Sequence, residues 1–255
     1  MARIARTFLF LCLLVASGAA VAADQARVAA ASSLAFVLPE IVAAYHAQGG
    51  GAVEVSYGAS GLLARQIQRG APFELFLSAN EAYVVTLASA GLTRNAGAVY
   101  ALGELVLFSA TGGGIDPATP LQQLPALHEA GGLRRLALAH PEHAPYGIAA
   151  RQALESSGAW RALQPALAVG ESVAQAARFV TSGAAEAGLI AKSLAMQPAV
   201  AARGDFVPVK VELHAPLRQR MVLLPDAGPV AEAFYAFLLG PEARAILARH
   251  GFGVP

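Results

Sequence analysis

The 255-residue sequence contains one cysteine, Cys12, and it falls in the opening stretch. Disulfide staples are therefore excluded for the rest of the chain, which must be held by a packed apolar core. Lysine is scarce: Lys192 and Lys210 are the only two, and every other basic side chain is arginine. Charge of neither sign dominates, with 18 basic against 17 acidic residues, so the basic footprint of a nucleic-acid binder is missing. Long hydrophobic runs are missing too beyond residue 23, where no stretch approaches the roughly 20 apolar residues of a membrane helix. The sequence has no C-x-x-C, no H-E-x-x-H, no Walker loop and no G-x-G-x-x-G after a strand. It gives no motif for a metal, nucleotide or dinucleotide site, and no cofactor is expected.

What is present begins with "MARIARTFLFLCLLVASGAAVAAD". Arg3 and Arg6 precede an apolar core from Phe8 to Val15, and small residues close the segment at Ala20, Val21, Ala22 and Ala23. That order predicts a secretory signal peptide over residues 1–23, cleaved near Ala22 or Ala23. Cys12 follows Leu9, Phe10 and Leu11 rather than the small residue that lipid attachment needs. The expected product is a soluble exported protein without a thiol, with 16 basic and 17 acidic residues.

Beyond the leader, short β-like runs alternate with helical ones: "RVAAA" then Leu34 to Gln48, "VEVSYG" then Leu62 to Gln68, "FELFLSA" then Glu81 to Ser89. This alternation predicts an α/β fold with mainly parallel sheets. Leu34, Val37, Leu38, Ile41 and Tyr45 recur at helical spacing, as do Leu63 with Ile67, and Val173, Ala176, Ala177 and Val180. Pro39 should shorten or bend the start of the first helix. After the loop "TGGGIDPATP" the pattern repeats, with "LRRLALAH", a helix from Gly147 to Ser156, "LAVG", a helix from Ser172 to Thr181, and "AEAGLIA". A helical tail from Pro229 to His250 should be divided at Gly240 and Pro241. Two strand-like runs, Ala101 to Phe108 and Leu217 to Leu224, are candidates for crossings between two α/β sections.

The residues that follow strands are neutral donors at predicted helix starts: Ser32 and Ser33, Ser60, Tyr146, and Ser172 with Val173. Ligands of open α/β sheets bind outside the carboxyl ends of the strands. Free N–H groups and a partial positive charge at helix N-termini suit an anion there. A serine in this position also serves as an ordinary N-cap worth about 1 kcal/mol. Hydrolysis is a third reading, with Ser60 as nucleophile, although Gly58, Ala59, Ser60, Gly61, Leu62 puts the second glycine of G-x-S-x-G one place early. In "AHPEHAP", His140, Glu142 and His143 are close together, but the segment reads as a polar turn rather than a zinc site.

Five segments together resemble one family: "AASSL", "GASGLLARQIQRGAPFELFLSA", "LALAHPEHAPYGIAARQALESSGAW", "GESVAQAARFVTSGAAEAGLI" and "AFYAFLLGPEARAILARHGF". In order and content they are similar to the periplasmic molybdate-binding proteins of ABC importers, within the two-lobed solute-binding proteins. The resemblance implies a type II periplasmic-binding-protein fold, with two lobes joined by a two-strand hinge. Lobe 1 would take residues 24–103 and 217–255, and lobe 2 residues 104–216. It implies a periplasmic, monomeric, non-enzymatic protein that binds molybdate, or tungstate, in the cleft and delivers it to a membrane permease. The family's ligand positions fall on Ser33 and Ser60 in one lobe, and on Tyr146 and Val173 in the other. These residues would hold the oxyanion with no direct ligand to the metal.

One position departs. Many relatives end the "AGLIA" strand with a tyrosine whose hydroxyl reaches the anion, where this chain has Ala191, whereas Tyr146 stands where many have a small residue. The Tyr146 hydroxyl is therefore expected to replace the missing donor. Rival expectations are another tetrahedral oxyanion, such as sulfate, and a secreted serine hydrolase using Ser60.

Overall fold

The computed structural model describes residues 25–110, 116 and 118–255. The predicted signal peptide and part of the loop after Ala110 lie outside the described residues.

The chain builds β1 (Gln25–Ala31), a 3₁₀ turn at Ser32–Leu34, α1 (Val37–Ala47), β2 (Ala52–Gly58), α2 (Ser60–Gln68), β3 (Leu75–Ser78), α3 (Glu81–Ser89) and β4 (Ala98–Gly103). It continues with β5 (Leu105–Ala110), α4 (Leu124–Glu129), β6 (Leu136–Ala139), α5 (Pro145–Ser156), α6 (Trp160–Leu163), β7 (Leu167–Gly170) and α7 (Val173–Thr181). Then come β8 (Ala187–Ala191), α8 (Lys192–Ala195), α9 (Pro198–Ala201), β9 (Gly204–Pro208), β10 (Leu217–Leu223), α10 (Pro229–Leu238) and α11 (Pro241–Arg249).

Two five-stranded sheets result, ordered β2-β1-β3-β10-β4 and β7-β6-β8-β5-β9. Their topologies match. In each, three strands pair in parallel and one strand runs against all the others: β10 in the first sheet, β5 in the second. Each reversed strand is the first that the chain lays down after changing sheets. The outward crossing is a single residue, Glu104, between β4 and β5. The run Ala101–Phe108 is thus divided between the sheets, and the return passes through residues 209–216 before β10 begins.

The local reasons are readable. Residues of β1 alternate between two cores: Val28 and Ala30 pack with α1, α10 and α11, and Ala29 packs with Leu63, Ile67 and Phe76 on the other face. All five apolar positions of the first predicted helix are buried. Pro39 sits in the first turn of α1, where its missing N–H costs no hydrogen bond, and the chain before Val37 is 3₁₀. Gly240 stands as the N-cap that separates α10 from α11.

A buried carboxylate ties the first lobe together. Glu74, 8 % exposed, accepts the N–H of Arg27 at 2.8 Å and of Gly228 at 3.0 Å. It thereby joins the start of β1 to the N-cap of α10. Glu74→Ala strands both donors, and charge-assisted bonds of this kind are worth about 1.5–3 kcal/mol each. A loss of about 3 kcal/mol in urea unfolding is expected, and an unchanged midpoint would show that water replaces the carboxylate.

Candidate functional site

Three strands of the first sheet end at one place. Ala31 of β1, Gly58 of β2 and Ala79 just past β3 meet the starts of α5 and α7 from the other lobe. Together with Ser32, Ser33, Ala59, Ser60, Ala144, Pro145, Tyr146 and Val173 they enclose a cavity of about 10 Å³ for the centre of a water-sized sphere. That space is about what a single water molecule needs. The structure thus brings Ser33, Ser60, Tyr146 and Val173 to one cavity between the lobes. No residue lining it is charged.

Each side chain has a distinct hydrogen-bonding state. Ser60 is fully buried at the first position of α2, and its Oγ accepts the N–H of Ala79 at 3.0 Å. Having accepted, the hydroxyl still has its proton to give. A hydrolytic serine needs a base on that proton, and among the described residues no histidine ring is hydrogen-bonded to Ser60. Ser33 is 1 % exposed, and its Oγ meets no partner at hydrogen-bonding geometry, although the Tyr146 hydroxyl lies close enough to interact with it. Tyr146 is buried, and burial, as the main cause, drives its phenol pKa well above the ordinary tyrosine value; the nearby hydroxyl of Ser33 and the amide of Gln219 oppose the rise. The phenol therefore stays protonated and keeps its capacity to donate. Val173 contributes backbone: it opens α7, where a first-turn N–H has no acceptor inside its own helix. Ser172 is the N-cap of α7, accepting from the N–H of Gln175 at 3.4 Å.

The lobes close on each other around this cavity through polar contacts. Gly61 N–H donates to the His143 carbonyl at 3.0 Å, and the Tyr83 hydroxyl donates to the same oxygen at 3.2 Å. Ser193 Oγ donates to the Ser33 carbonyl at 2.9 Å, and Ala174 N–H to Ser32 Oγ at 3.4 Å. The segment "AHPEHAP" is a turn whose two histidine rings stack with centroids 4.0 Å apart. Burial first, then His140, holds the His143 pKa below the usual histidine value. No group of three or more His, Cys, Asp or Glu side chains among the described residues is placed to hold a metal ion.

Ala191 ends β8 beside Leu105 and is absent from the cavity lining. Two residues the sequence reading did not select stand behind the site: Tyr100 and Gln219, buried and hydrogen-bonded to each other at 2.9 Å. A signal for Gln219 existed. In "LRQRM" it shares the inward face of a strand with Leu217 and Met221, a period-2 pattern that buries a glutamine.

The model of the bacterial extracellular solute-binding proteins matches residues 26–253. The chain is 34% identical to the molybdate-binding protein ModA of Azotobacter vinelandii over 95% of its own length and 97% of that protein. It is 34% identical to ModA of Rhodobacter capsulatus, covering 94% and 93%. The solved structure of the Azotobacter vinelandii periplasmic molybdate-binding protein superposes with a TM-score of 0.82 at 31% identity, over 90% of this chain and 99% of that one. The sulfate-binding protein SubI of Mycobacterium tuberculosis shares the fold, at a TM-score of 0.71 and 16% identity. With a matching fold, a small cavity between its lobes and relatives aligned over almost its whole described length, the chain belongs to the bacterial extracellular solute-binding protein family.

Proposed function

We propose that this protein captures molybdate, and tungstate with it, in the periplasm and passes it to a membrane ABC importer, acting as a monomer and catalysing no reaction. Ser33, Ser60, Tyr146 and Val173 hold the oxyanion through hydroxyl and backbone N–H donors. The observation that carries the reading is the Ser33 hydroxyl, buried without a partner in a cavity whose lining has no charged side chain. A buried hydroxyl without a hydrogen bond costs free energy, and a bound oxyanion supplies the acceptor. A shell of donors, poor in acceptors, favours a fully deprotonated dianion over one that carries a proton. Two lobes that each provide part of the shell complete it only when closed, so the ligand stabilises the closed state. The molybdate-binding relatives support this choice among oxyanions.

A thermal-shift screen with molybdate, tungstate, sulfate and phosphate tests the reading. At a thousandfold excess over Kd the first two should raise Tm by about 10 °C. Sulfate and phosphate should leave it nearly unchanged. A comparable rise with sulfate would reassign the ligand.

A further inference from the structure

Gln219 has no exposed surface, and it is the one buried amide side chain in β10. Burying an amide is costly unless both its ends are bonded. Both are. Its Oε1 receives the Tyr100 hydroxyl at 2.9 Å, and its Nε2 donates to the Tyr146 hydroxyl at 3.2 Å. Tyr100 and Gln219 belong to the first sheet, whereas Tyr146 opens α5 on the other side of the cavity.

The backbone is shaped for this contact. Pairing of β10 with β4 slips between Gln219 and Arg220, so that Gln219 faces Ala101 and Arg220 faces Val99, leaving Tyr100 as the extra residue of a bulge. A bulge of this kind re-aims side chains. Gly103, the last residue before the crossing, lies under the bridge: a Cβ there would stand 2.4 Å from the Tyr146 hydroxyl and 2.8 Å from Gln219 Nε2. The end of β4 is thus kept bare of a side chain where the bridge passes over it.

We infer that Gln219 is a positioning residue of the anion site, holding the Tyr146 phenol as an acceptor so that the phenol's own proton is left for the cavity. The relay runs in one direction, from the Tyr100 O–H to Gln219 and from the Gln219 N–H to Tyr146. It leaves the Tyr146 O–H beside the unpartnered Ser33 hydroxyl. Because donor and acceptor belong to different lobes, the bridge exists only while they are closed. This inference rests on the reading of the cavity as an oxyanion site.

Calorimetry with molybdate on five variants tests it. Gln219→Leu removes the bridge and should raise Kd about fivefold, the scale of one buried hydrogen bond. Gln219→Glu keeps the size but, ionised, can only accept; it draws the Tyr146 O–H into a hydrogen bond away from the cavity and adds negative charge, and should raise Kd about twentyfold or more. A residue needed only for packing would give the opposite order, with the near-isosteric Glu tolerated better than Leu, and that order overturns the inference. In the Tyr146→Phe background, Gln219→Leu should have no further effect; full additivity of the two losses also overturns it. Tyr100→Phe, a milder change, should raise Kd about threefold and serves if the Glu variant does not fold; an unchanged Kd there counts against the relay. Should the wild-type protein ignore all four anions, the functional reading fails and the inference fails with it; wild-type binding of molybdate together with either overturning result above removes the inference alone.

Discussion

Gly61→Ala is expected to raise the Kd for molybdate about 100-fold or more while leaving both lobes folded. A Cβ built on Gly61 would stand 2.5 Å from the His143 carbonyl oxygen, 2.8 Å from the Tyr83 hydroxyl and 3.0 Å from the His143 Cβ. The first of these is backbone of the opposing lobe, anchored in the turn that leads into α5, so it cannot swing aside as a side chain would. The lobes relieve the collision by parting. Parting breaks the Gly61 and Tyr83 bonds to His143 and separates Ser33 and Ser60 from Tyr146 and Val173. Each tenfold in Kd corresponds to about 1.4 kcal/mol, so the loss of two or more charge-assisted donors accounts for the predicted factor. Within α2 itself alanine is a better helix former than glycine, by about 1 kcal/mol. The unliganded melting temperature should therefore hold or rise. Calorimetry with a parallel melting curve checks both halves. A Kd within threefold of wild type would mean that the bound state does not use this contact.

The two cavity serines should respond in opposite ways without ligand and alike with it. Ser33→Ala deletes a buried hydroxyl that has no partner, so the empty protein loses no hydrogen bond and should be as stable as wild type or slightly more so. Ser60→Ala deletes the acceptor of the Ala79 N–H. A buried donor left unsatisfied costs about 1–3 kcal/mol, and Tm should fall by about 5 °C. Both variants should lose molybdate affinity by about 10- to 100-fold, since each removes one bond to a charged ligand. A packing role alone would give Ser33→Ala an unchanged Kd, and that result would remove Ser33 from the site. The contrast also separates a hydroxyl kept for the ligand from one that also serves the fold.

These expectations depend unequally on the sequence. The helix of Val173, Ala176, Ala177 and Val180 was legible because its stripe is a local, periodic property, and all four residues are buried. The helix Glu81–Ser89 was legible from the alternation of strand-like and helical runs, and the division of the tail at Gly240 from the Gly-Pro breaker. The short helices α8 and α9, of four residues each, were not, because so brief a run carries no period. The serines were legible as neutral donors before helices, and the resemblance chose Ser33 and Ser60 among them.

What the sequence could not supply is how the lobes meet. Ser193 and Ser33 lie 160 residues apart, Ala174 and Ser32 142 apart, Gln219 and Tyr146 73 apart. No local rule links them. Composition, periodicity and the strand-to-helix junctions by themselves determined an α/β chain with hydroxyl and N–H donors at its strand ends, because those features follow from backbone geometry within a few residues. Only the tertiary structure decided that Gly61 must lack a side chain, that Ser33 is left without a partner, and that Gln219 reaches Tyr146. Each of these depends on the distance between atoms of different strands and lobes, and that distance is set by packing.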